Sequence, residues 1–134
     1  MSLMQTKVVN VKVANIRPIG FRDLESWCEN PNHVYVGRKG VVFVARGDQK
    51  YRYPKKDSIW ANPFKIPKTS NGVNAALART QVIQQYREYI MARLDDPDDE
   101  EITYEKLEEL RGKKLGCWCY PEGCHADVLV GLLE

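Results

Sequence analysis

The sequence predicts an α/β fold: a single domain with a small mixed β-sheet, a long helix packed across it, and a C-terminal strand–turn–helix that carries a cysteine–histidine cluster. Three observations lead there. The first half holds short β-branched runs punctuated by Gly and Pro, the signature of strands and turns. Over residues 73–94 the apolar period changes to that of a helix. Residues 113–119 then read as a strand and residues 124–133 as an apolar helix, the order of an α/β unit.

Residues 7–16 alternate well enough to be a first strand with one solvated face, broken by Pro18 and Gly20. Residues 21–30 fit a short helical turn that ends before Pro31. Residues 33–38 form a strand running into a Gly-Arg turn, and residues 41–46 and 50–54 a hairpin around Gly47 and Asp48. Residues 55–72 make a loop without periodicity, and a loop of that length inside a compact domain is more often functional than idle. In the long helix Ala76, Val82, Ile83, Tyr86, Ile90 and Leu94 share one stripe, with Ser70 or Asn71 as the cap. An acidic stretch, 95–101, separates it from a short helix over 104–111 that stops at Gly112. The strand 113–119 is placed inside a sheet of four to six strands, because Leu115–Trp118 is too apolar for a solvated edge.

A chain of 134 residues is long enough to bury a core as one domain, 1–134. Residues 1–3, ahead of Met4, read as an expression leader. A hydrophobic content of 43%, a charged content of 28% and a net charge of +2 are ordinary for a globular protein and name no polyanionic partner. No apolar run reaches the length of a membrane span and no signal segment is evident, so the expected location is cytoplasmic, with no membrane partner and reduced thiols. Nothing in the sequence fixes an oligomeric state.

The chemistry concentrates at Cys117, Cys119, Cys124 and His125, since three of the four cysteines and one of the two histidines fall within nine residues. They lie where a strand's carboxyl end meets a helix's amino end, the ligand position of open α/β sheets. A thiol at a helix N-terminus is favoured as thiolate, so Cys124 with His125 as base, Cys119 beside it and Asp127 to orient the histidine form a candidate catalytic set. Cys₃His is equally a zinc ligand set, and Cys117 and Cys119 could instead be small apolar residues of a buried strand. Adjacent residues in a first helical turn splay by about 100°, which sets Cys124 and His125 apart and argues for no cofactor, zinc being the alternative.

A second group lies in the loop. Arg38, after Gly37, suits an anion. Ser58, Trp60, Asn62 and Phe64 set polar groups between aromatics, either to bind and stack on a ligand or to make a turn and plug the sheet's end. Seven basic residues between Arg46 and Lys68, interleaved with Tyr51, Tyr53 and Trp60, suit a phosphate or nucleic-acid surface, although solvated hairpin charge explains them too. His33 reads as a surface histidine.

The stretches Tyr35-Val36-Gly37-Arg38, Asn62-Pro63-Phe64, Leu110-Arg111-Gly112-Lys113-Lys114-Leu115-Gly116-Cys117-Trp118-Cys119 and Cys124-His125-Ala126-Asp127-Val128-Leu129 together resemble a family of small proteins from bacteria, phages and large DNA viruses. That family is known only as a domain of unknown function, and the likeness covers residues 34–132. It implies a shared site at Arg38, Asn62, Cys119, Cys124, His125 and Asp127. A more distant likeness is to a second family whose last helix opens Cys-His-Arg, where this chain has Ala126. The reading that follows is a small enzyme acting on a nucleotide, nucleoside or other phosphate-bearing metabolite. Its alternative is a non-enzymatic module that binds nucleic acid or protein, with zinc in a structural role.

Overall fold

The computed structural model describes residues 5–64, 72–118 and 124–134. Met1–Leu3, the caps Ser70 and Asn71, the basic Lys65 and Lys68, Cys119 and the Pro-Glu-Gly turn lie outside the described residues. Among the described residues the strands are β1 (Lys7–Asn10), β2 (His33–Tyr35), β3 (Val42–Arg46), β4 (Gln49–Tyr53) and β5 (Lys114–Cys117). The helices are α1 (Val13–Ile16), α2 (Leu24–Cys28), α3 (Gly72–Leu94), α4 (Tyr104–Glu108) and α5 (His125–Leu133). The architecture is α/β.

The parallel and antiparallel pairings expected of one mixed sheet of four to six strands are both present, but among the described residues they are divided between a sheet of three strands and a hairpin of two. β5 lies between β1 and β2, parallel to each, while β3 and β4 pair antiparallel as a separate hairpin. The first strand is shorter than its alternation suggested: Asn10 accepts the Lys12 N–H on its side chain at 3.0 Å, which turns the chain into α1.

Side chains alternate across the parallel sheet and feed two cores. Val8, Leu115 and Val34 are register partners and face a core with Tyr86, Ile90 and Leu94 of α3, Leu107 before Leu110, and Ala126, Val128 and Leu129 of α5. Buried Val82, Tyr86, Ile90 and Leu94 recur every fourth residue, so α3 presents one stripe inward; Ala76, at its start, is exposed instead. On the opposite face Val9, Tyr35 and Trp118 pack on Val11, Ile16, Leu24 and Trp27. The histidine expected at the surface, His33, is buried here: its ring stacks on Trp27 at 4.3 Å and its Nδ1 donates to the Trp27 carbonyl at 2.8 Å.

Gly116 lets Trp27 lie against the central strand. A Cβ there would stand 2.8 Å from the indole and 2.8 Å from Val11. Gly116→Ala therefore overpacks a site walled by a rigid ring, and urea denaturation should show a loss of about 1–3 kcal/mol with the m-value unchanged.

Candidate functional site

The carboxyl ends of β2 and β5 set the site. Beyond β2 the Tyr35 ring folds back over Gly37, where any side chain would collide with it. The Tyr35 hydroxyl donates to the Arg38 carbonyl at 2.9 Å and accepts from Trp118 Nε1 at 2.9 Å. Burial pushes that phenol up to about 12, so it stays protonated and able to donate. This knot holds the backbone at Val36 and aims Arg38 across to the loop.

Arg38 spends most of its guanidinium on that loop. Nε and Nη2 donate to the Asn62 carbonyl at 2.9 and 2.6 Å, and Nη2 also to the Phe64 carbonyl at 3.0 Å. Its Nη1 has no hydrogen-bond partner among the described residues. The Asn62 carboxamide oxygen accepts from the Phe64 N–H at 2.9 Å and so closes its own turn. Ser58 accepts from the Trp60 N–H at 3.1 Å, and its N–H donates to the Gly37 carbonyl at 3.0 Å. Of the two readings of Trp60, a ligand-stacking ring or a plug at the sheet's end, its burial matches the second: it is 3% exposed, and its carbonyl accepts from the Tyr86 hydroxyl at 2.7 Å.

At the other wall Cys124 is the N-cap of α5 and His125 its first residue. The Cys124 N–H donates to Asp127 Oδ2 at 2.9 Å, a capping box that satisfies an otherwise orphaned donor. Asp127 thus orients the Cys124 backbone rather than the imidazole. The separation expected of Cys124 and His125 does not hold. Cys124 has an extended backbone (φ −144°, ψ 154°), so the helical splay does not apply, and its Sγ lies 3.6 Å from His125 Nδ1. His125 Nε2 donates to the Val36 carbonyl at 2.6 Å. A carbonyl only accepts, so Nε2 carries the proton and the neutral ring leaves Nδ1 facing the thiol. The ring is also edge-on to Tyr86 at 4.9 Å.

Burial is the main influence on His125 and pushes it below its ordinary value, with Arg38 acting in the same direction; the Val36 carbonyl and Asp127 oppose. Neutral imidazole is therefore the favoured form. Cys117 is 1% exposed and Cys124 2%. Cys119 lies outside the described residues. Among the described residues no group of three His, Cys, Asp or Glu side chains is arranged to hold a metal ion.

Arg38 also lines a cleft of about 300 Å³, together with Asp57, Ser58, Asn62, Tyr89, Arg93 and Glu101, among others. Phe64 meets Tyr89 edge-on at 5.9 Å near its rim. Arg93 is held by Asp99 at 2.6 Å and donates to the Tyr89 hydroxyl at 2.8 Å. Cys124 and His125 are not among its lining residues. So the structure joins Arg38, Asn62 and Ser58 to the cleft and couples His125 to them through Arg38 and the Val36 backbone. The sequence places Tyr86 on the helix's stripe but gives Tyr86, Tyr89 and Arg93 no part in the site. A tyrosine on an otherwise apolar helical stripe was the available signal for Tyr86, since a buried phenol needs a partner.

A parallel sheet whose central strand leads to a Cys–His helix start defines an α/β protein with a paired thiol and imidazole at the strands' carboxyl end. The chain belongs to the family described as Domain of unknown function (DUF4326), whose model matches residues 19–134. It is also 47% identical over 34 residues to an "Uncharacterized 12.4 kDa protein in nrdA-td intergenic region" of Enterobacteria phage T4, a stretch covering 25% of this chain and 32% of that protein. The chain thus spans about a third of that relative's length. No solved structure matches significantly. No helix among the described residues is long and apolar enough to cross a membrane.

The lowered His125 has a consequence for stability. In the unfolded chain it binds a proton near its ordinary value of 6.5, while in the folded chain it resists doing so. The unfolded state then holds more protons, so stability is full above 6.5 and falls as the pH drops below it. Urea denaturation at pH 7.5 and 5.5 should show the loss for the wild type and a smaller one for His125→Gln.

Proposed function

We propose that the protein is a small enzyme acting on a nucleotide, nucleoside or other phosphate-bearing metabolite, with its chemistry at Cys124 and His125 and its anion held at Arg38. The observation that carries this reading is the 3.6 Å approach of Cys124 Sγ to His125 Nδ1 while Nε2 is fixed on the Val36 carbonyl. Nucleophile, base and orienting group stand in the order that nucleophilic catalysis requires. Moving one proton from Sγ to Nδ1 gives a thiolate and an imidazolium with no change in net charge, and the first N–H groups of α5 favour the thiolate. His125, the more exposed member of the pair, is the acid–base group. Arg38 Nη1 and the Ser58 hydroxyl are the donors for a phosphate, with Tyr89 available to a base or sugar.

A second reading has its own support. With Zn–S near 2.3 Å and Zn–N near 2.0 Å, two ligands on a zinc tetrahedron stand about 3.5 Å apart, close to the Cys124–His125 separation. An Nε2–H held by a backbone carbonyl is also the usual support of a histidine that ligates through Nδ1. In that reading Cys117 and Cys119 complete the ligand set with Cys124 and His125.

Three measurements separate these. Protein purified without chelator is assayed for zinc and treated with iodoacetamide near pH 7, then screened by thermal shift against nucleosides and nucleotides. The enzyme reading expects metal-free protein, alkylation of Cys124, and a raised Tm with at least one phosphate compound; a ligand at about a hundred times its Kd adds roughly 2.7 kcal/mol. Near one zinc per chain, lost in Cys124→Ser, would replace it with the metal reading. No stabilisation by any phosphate compound would remove the substrate class.

A further inference from the structure

The outer face of the hairpin is independent of the cleft. Side chains of β3 and β4 alternate across the ribbon. Val42, Val44, Tyr51 and Tyr53 are buried or half-buried, Val42 and Tyr53 against the core around Trp27. Charge on this inner side is matched: Arg46 meets Asp23 at 2.7 Å and Glu25 at 2.8 Å, and the Tyr51 hydroxyl donates to Glu25 at 2.7 Å. These contacts fix how the hairpin sits and leave Phe43, Ala45, Lys50 and Arg52 facing out.

On that face Phe43 is opposite Arg52 and Ala45 is opposite Lys50. The Arg52 guanidinium carbon stands 4.7 Å from the Phe43 ring centroid and Lys50 Nζ 5.2 Å. With both cations in place the phenylalanine is still 56% exposed. Neither Lys50 nor Arg52 has a carboxylate partner among the described residues. Lys55 and Lys56, both exposed, follow just beyond the end of β4. A single exposed phenylalanine is ordinary. One held open between two uncompensated cations, with two more lysines just past the end of the ribbon, combines a π-face with positive charge. That is how sequence-tolerant binding of single strands works: bases stack on aromatics while a positive track follows the phosphates. An acidic peptide would use the cations and leave the ring idle, and a duplex keeps its base faces stacked internally.

We propose that this face binds single-stranded nucleic acid, with a base stacked on Phe43 and the phosphates held by Lys50, Arg52, Lys55 and Lys56. The test is fluorescence anisotropy of the whole chain with a labelled oligothymidylate of about twelve nucleotides, within the range of known single-strand sites. Binding at low salt should weaken steeply as salt rises, because each neutralised phosphate releases counterions. Phe43→Ala should weaken it about tenfold, the order expected for one lost base stack. Phe43→Trp should retain affinity, which separates lost stacking from a damaged fold, and Lys50→Glu with Arg52→Glu should reduce both affinity and its salt dependence. Absence of binding at low salt, equal affinity for a duplex, or an unchanged Phe43→Ala would each overturn the proposal. Binding to phosphatidylserine vesicles with none to the oligonucleotide would overturn it as well.

Discussion

The hydrogen bond from His125 Nε2 to the Val36 carbonyl, 2.6 Å long, joins the two halves of the site. Val36 follows β2 directly, and its N–H donates to the Gly116 carbonyl of β5 at 3.0 Å. One residue therefore pairs with the central strand through its donor and with α5 through its acceptor. This sets the α5 start against the end of the sheet, chooses the histidine tautomer and turns Nδ1 toward Cys124. The Tyr35–Gly37–Arg38 knot guards the same backbone from the other side. A small shift there would be felt at the imidazole, the cleft wall and the loop together.

Much of the polar chemistry that a sequence reader assigns to ligands is spent on the chain itself. Arg38 satisfies loop carbonyls, Asn62 closes a turn, Ser58 caps another, and Asp127 caps α5. A loop packed against a core must satisfy its backbone groups, because each one left unpaired and buried costs more than an ordinary hydrogen bond gains. The same groups can serve a ligand only where a donor is left over, as at Arg38 Nη1. Preorganisation and structure are then one requirement: residues fixed by the fold lose little entropy when they bind.

The two surfaces of interest differ in kind. The Cys124–His125 pair is enclosed and its state is set by burial, by a carbonyl and by a helix start, so it is insensitive to salt. The Phe43 face is solvated and its cations act through the solvent, so it is strongly salt-sensitive. The acidic stretch after α3 reaches the cleft wall at Glu101. Asp99 there is held to about 2 chiefly by its bond to Arg93, and it fastens the end of α3.

Periodicity and composition were enough for the α/β class, for the interior placement of β5, for the buried stripe of α3 and for Cys124 at the start of the last helix. These depend on local pattern: apolar residues spaced to one face must be buried, whatever they meet. Where the first strand ends, that His33 is buried, which of its two readings Trp60 takes, and that Cys124 and His125 converge were decided by the folded structure. Asn10 caps its own turn, the Trp27 indole covers His33 across a glycine, and the extended φ of Cys124 cancels the helical splay. Each depends on a particular side-chain partner or on a single backbone angle, and neither is encoded in apolar spacing. A residue's type limits the bonds it can make; only the fold determines which of them it does make.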